Sequence, residues 1–278
     1  MENGNGIDVK HDDFGANNLI RNIQTNGSIS MPPEMFEKLY LSPQNRVKGE
    51  LRKTLGNPTP IGIVGFVISL GPLACDLMGW RGAGGSGAAS IPFFIFFGGL
   101  LLFVGGFFEL LLGNTFPSVV FFTFASFYFS YGCVLLPQFN AYALYAPPGE
   151  AAATGLATQG FNASFGFITL SMGIMSFLFL ICAVRTNIVF VVIFVGLTTT
   201  FGLITGAYFQ LASDYVGNAA LAGRLLTAAG AFSFVTTAAG WWILFALMLS
   251  SVDFPFALPV GDLSTKIRGA SDRKQAEV

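Results

Sequence analysis

The chain has 278 residues, of which 53% are hydrophobic and only 10% charged, with a formal net charge of −1. A soluble domain carries about a quarter charged residues, so this composition excludes an ordinary soluble domain. It also leaves no electrostatic footprint for nucleic acid. The single histidine, His11, lies in the polar N-terminal stretch. A His-based metal site, a Ser-His hydrolase and an imidazole proton relay are therefore excluded from the apolar part.

Residues 1 to about 55 contain no apolar run, so no N-terminal signal peptide is expected. The first 30, with their Asn and Gly, read as disordered. Pro32 to Tyr40 reads as a tether or as one or two helical turns on the membrane, with Met35, Phe36 and Leu39 on one side. The charge-to-apolar transition falls at Asn57-Pro58-Thr59-Pro60. Two prolines two apart cannot sit inside a regular helix but suit its first turn. A non-helical lead-in with a helix from about Ile61 is predicted.

Six apolar segments follow, each near bilayer-spanning length: Ile61–Met78, Ile91–Leu112, Ser118–Leu136, Gly160–Val184, Ile188–Leu211 and Leu225–Ser250. The fold class is an all-α membrane protein with six transmembrane helices. Residues 1–55 form an N-terminal tail, 56–252 the helical domain and 253–278 a C-terminal tail. Placing both termini in the cytoplasm puts the nine Lys and Arg from Arg46 onward, among them Arg185, on that side, against Arg81 and Arg224 on the other. The 34 glycines and 31 phenylalanines fit packed membrane helices. Gly98-Gly99, Gly105-Gly106 and the pair Gly202 and Gly206 read as close-packing sites. Cys75, Cys133 and Cys182 lack metal-ligand spacing and read as small membrane-buried hydrophobes. Neither a metal nor a cofactor is expected. Gly113-Asn114 and Gly217-Asn218, three helices apart, form a faint internal echo.

Polar residues within membrane spans are the default functional candidates. The uncharged ones are Asn57, Thr59, Ser69, Asn114, Thr115, Ser126, Gln159, Asn162, Thr198, Thr199 and Thr200. A Ser or Thr here usually bonds its own backbone instead. Glu109 falls in the last turn of the second segment, where it could reach water, cap a neighbouring helix, or serve as a proton or cytoplasmic-gate residue. Asp76 and Arg224 read as similarly terminal. Lacking a buried carboxylate pair, lysine or mid-helix arginine, such a bundle suits a small passenger whose charge is handled by hydrogen bonds or by its own proton.

Asn57-Pro58-Thr59-Pro60-Ile61-Gly62 resembles the N-P-x-P-[LI]-G signature of the acetate uptake transporter family, the succinate–acetate permeases. Glu109 with Gly113-Asn114-Thr115-Phe116 resembles the family's glutamate-then-G-N-T-F junction, and Gly217-Asn218-Ala219-Ala220 its G-N-A-A element. Leu77 to Gly85, Glu37 to Gln44 and the tail Leu258-Pro259-Val260-Gly261-Asp262 are similar to the fungal branch. The likeness runs over roughly residues 32 to 265. It implies a multi-pass plasma-membrane importer of acetate, with propionate or succinate as further substrates, assembled as a homo-hexamer with one central pathway per subunit. It also implies an apolar constriction at Phe66, Phe124 and Leu197. Phe124 departs from the family's Tyr and lacks its hydroxyl; Tyr128, one turn on, is a candidate replacement.

Proton-coupled uptake of small carboxylic acids follows as the expectation, with Asn57, Thr59, Ser69, Asn114, Thr115, Tyr128 and Thr198 as substrate-binding candidates. An uncoupled channel and an acetate sensor signalling through its tail are the rivals. A water or glycerol channel is rejected because the chain has no second Asn-Pro, and an enzyme because Ser164 has no histidine or buried lysine to activate it.

Overall fold

The computed structural model describes residues 51–263 and Lys266. The expectations for His11, the disordered start and Pro32–Tyr40 lie outside the described residues. Among the described residues six helices are long and apolar enough to cross a membrane: α1 Thr59–Met78, α2 Gly87–Leu111, α3 Thr115–Leu135, α4 Gln159–Ala183, α5 Ile188–Ser213 and α6 Ala219–Ser251. Helices satisfy every backbone donor and acceptor internally, which the lipid interior demands. At 33 residues α6 measures about 50 Å, longer than the ~30 Å hydrocarbon core.

Several starts differ from the sequence expectation: α2, for one, begins at Gly87 rather than Ile91 because 3-10 turns precede it. Helix α1 begins at Thr59 and carries Pro60 in its first turn, α3 begins at Thr115, and α6 begins at Ala219. Counting apolar residues finds where a segment becomes greasy, whereas a helix starts at its cap, and Asn114 and Asn218 stand at those caps. Arg224 consequently lies in the second turn of α6 and is exposed rather than terminal.

The helices stand in a ring in the order α3, α2, α1, α6, α5, α4. Neighbouring backbones pack closely except across the α3–α4 seam, where aromatic side chains bridge: Phe116 and Phe124 of α3 both meet Phe179 of α4. Glycines permit the tight contacts between α1, α2 and α3. A Cβ on Gly105 would stand 3.0 Å from the Gly62 backbone, and one on Gly98 would stand 2.5 Å from the Tyr128 ring. Gly202 departs from its expected role: nothing lies within 4 Å of where its Cβ would be. That residue faces out of the bundle, so its small size serves no packing within the chain.

Polar side chains in the spans are mostly tied to backbone or to one another. Ser176, Thr199 and Thr236 each donate four residues back along their own helices. Thr169 meets Thr205 at 3.0 Å between α4 and α5, and Thr200 meets Ser233 at 3.2 Å between α5 and α6. Beyond α6 the chain turns back onto the bundle. Ile188 N–H donates to the Gly261 carbonyl at 2.9 Å, Leu263 N–H donates to Thr186 at 2.9 Å, and Val260 joins the core. The first part of the expected C-terminal tail is thus a strap across the α4–α5 turn.

Candidate functional site

An apolar cavity lies inside the ring. Its walls come from α1 (Phe66), α2 (Leu102), α3 (Phe121, Phe124) and α5 (Phe194, Leu197), and no polar side chain lines it. The three residues of the expected constriction therefore share one lumen instead of facing lipid or separate seams. The space open to the centre of a water molecule is about 30 Å³. That is room for about two waters, so the cavity is a neck.

Aromatic packing continues beyond the neck. Towards the α3–α4 loop, Phe127 meets Phe201 at 5.2 Å and Tyr131 at 6.0 Å, and Phe165 meets Tyr208 at 4.7 Å. Tyr128 packs on Phe94 and Phe127 at 5.9 Å and is nearly fully buried, but it does not line the neck. It stands beside the position expected for a replacement hydroxyl, not in it.

Below the neck, at the end where both described termini emerge, sits a polar lock. Thr59 is seven residues from Phe66 in α1, and Glu109 is seven from Leu102 in α2. That spacing repeats the same helix face about 10 Å along the axis. The Thr59 hydroxyl donates to Glu109 Oε1, and Asn114 Nδ2 donates to Glu109 Oε2 at 2.6 Å. Glu109 and Thr59 are both fully buried.

Local sequence builds this lock. Asn57 Oδ1 accepts from the Thr59 N–H at 3.0 Å, which fixes the Pro58–Pro60 lead-in. At the other side, α2 ends in a Schellman turn: Gly113 N–H donates to Leu110 at 3.0 Å and Asn114 N–H to Glu109 at 2.8 Å, with Gly113 at φ +77°. This left-handed glycine swings Asn114 back over Glu109. Two sequence expectations are corrected here. Thr59 and Asn114 spend their donors on Glu109 rather than standing open for a substrate carboxyl group. Glu109 does not reach water.

The remaining candidates scatter. Ser69 donates to the Phe93 carbonyl at 3.1 Å, where α2 widens into a π-helical stretch, Phe94–Leu101. Thr115 is exposed at the start of α3, and Thr198 is half-buried on α5 outside the neck. Asn162 caps the α4 lead-in through Leu156 and Thr158, while Ser126 and Gln159 face outward. Sequence reasoning missed Phe121 and Phe194 in the neck wall. Phe194 stands at helical intervals with Phe190, Leu197 and Phe201 along α5, but α5 is apolar on its other faces too, so the spacing does not single it out.

A sequence model described as the GPR1/FUN34/yaaH family matches residues 41–265. The chain belongs to that family. Among fungal proteins similar to this chain, protein alcS of Aspergillus fumigatus is 47% identical over 237 residues, covering 85% of this chain and 86% of the relative. The acetate transporter protein patA of Aspergillus clavatus is 30% identical over 210 residues, covering 76% of this chain and 79% of the relative. The bacterial acetate channel SatP superposes with a TM-score of 0.56 at 23% identity, over 74% of this chain and 99% of that one. This GPR1/FUN34/yaaH chain is a six-helix membrane protein with the fold of that channel.

Proposed function

We propose that this protein carries acetate and other small carboxylic acids across the plasma membrane, and that the acid passes the neck in its neutral form. The observation that carries this reading is the exclusively apolar wall at Phe66, Phe124 and Leu197. A bare carboxylate in such a place loses its water without replacement, at a cost of many kcal/mol, while the protonated acid bears only a polar-group penalty. A simple carboxylic acid titrates near Glu, at about pH 4–5, so an acidic exterior supplies molecules already carrying their proton. Flux is then coupled to protons without a relay of titratable side chains. The relative patA bears acetate in its name, which supports the substrate class.

The lock of Thr59, Glu109 and Asn114 closes the bundle on the cytoplasmic side, with both termini there, as the nine-to-two division of basic residues supports. The Thr59 hydroxyl and the Asn114 amide both converge on Glu109, so displacing that one side chain opens the lock. The assembly is a hexamer with one pathway per subunit. Labelled acetate uptake into vesicles containing purified protein tests the reading. Accumulation above equilibrium under an inward proton gradient, abolished by a protonophore, supports it. Uptake equal to that of empty vesicles refutes it, and uptake that only equilibrates assigns the protein to uncoupled channels.

A further inference from the structure

The lock obstructs the straight way out of the neck, and a carboxylate stands at its centre. Between α3 and α4, at the same end, the ring is open sideways. A groove there offers about 560 Å³ to the centre of a water molecule, against about 30 Å³ in the neck. Thr115 and Phe116 of α3 form one side, Phe179 and Cys182 of α4 the other, and Arg185 stands just past the end of α4. Thr186 stands beside Arg185 at the polar end, and the walls beyond Thr115, Thr186 and Arg185 are apolar.

One aromatic layer separates groove from neck. Phe116 and Phe179 have ring centroids 6.1 Å apart, and each meets Phe194 of the neck wall, at 6.3 and 5.7 Å. These three rings are held by packing alone, so their rotation breaks no hydrogen bond.

From these contacts we infer that the pathway leaves the bundle laterally between α3 and α4, past Phe116 and Phe179, and that Arg185 with Thr115 binds the departing carboxylate. The ligand is a short-chain carboxylate anion: the guanidinium takes its two oxygens as a fork, and the apolar walls accept its alkyl end. An axial exit would bring the same anion against Glu109. This inference rests on the transport reading given above.

Cys182 lines the groove and is exposed, which supplies a native reporter. With Cys75→Ser and Cys133→Ser it becomes the sole thiol, and its alkylation by N-ethylmaleimide is timed in detergent with acetate or chloride. Acetate at ten times its Kd slows labelling about tenfold. In Arg185→Gln the acetate needed for half-protection rises about tenfold or more, as expected for losing a charged hydrogen-bond partner. Arg185→Lys, which keeps the charge without the fork, falls between and guards against a folding defect in Gln. Equal labelling in acetate and chloride overturns the inference, as does decanoate protecting where acetate does not, which would make the groove a lipid site. Vesicle uptake by the same protein keeps the two readings apart. Uptake without protection sinks the lateral exit alone, and protection without uptake leaves the anion site standing while transport falls.

Discussion

Leu197→Ala is the most informative change in the neck. Leu197 is 3% exposed and faces a space of about 30 Å³ with Phe66 and Phe124. Removing three carbons there enlarges a space that holds about two waters. One methylene more or less in an apolar pocket changes selectivity by about 10–200-fold, or 1–3 kcal/mol. Propionate exceeds acetate by one methylene, so the propionate-to-acetate ratio of initial uptake rates should rise at least about tenfold in the variant. The assay is competitive uptake of the two labelled acids into vesicles at one acidic external pH. Deleting a buried leucine side chain costs about 2–5 kcal/mol of stability, so a thermal midpoint accompanies it. Leu197→Met, which conserves volume, should leave the ratio near wild type. A folded Leu197→Ala protein with an unchanged ratio would show that this cavity does not sieve the passenger.

Two other consequences concern the lock and the packing beneath the neck. A double-mutant cycle on Thr59→Val and Glu109→Met, the second of which removes the accepting oxygen, should give a coupling of about 0.5–3 kcal/mol in unfolding free energy; additive effects would contradict the bond between them. Gly62→Ala places a carbon 2.6 Å from the Phe121 ring and must push that ring into the neck, whereas the new methyl of Gly202→Ala meets nothing within 4 Å. Acetate uptake should fall sharply in the first variant and stay at the wild-type level in the second.

The six spans were legible because uninterrupted apolarity is a strong signal, and the Asn57–Pro60 and Glu109–Asn114 motifs each marked a helix end. The ring order was not legible, since helices apolar on every face carry no periodicity to show which side turns inward. For the same reason Phe121 and Phe194 could not be told from the many phenylalanines facing lipid. Glu109 illustrates a second limit. Its place in the last turn suggested access to water, yet the left-handed Gly113 folds Asn114 over it and α1 brings Thr59 against it. A contact between residues 50 apart is invisible to local pattern. Gly202 misleads in the opposite direction, because small-xxx-small spacing states what could pack and not what does.

The claim that the acid crosses uncharged is tested most directly by the initial rate of labelled acetate uptake, above the empty-vesicle rate, as external pH is raised at fixed total acetate. The neutral fraction falls tenfold per unit above a pKa of about 4–5. The predicted rate falls with it between pH 5 and 7. A rate that stays level, or rises as the anion becomes dominant, would contradict passage of the neutral acid through the Phe66–Phe124–Leu197 neck.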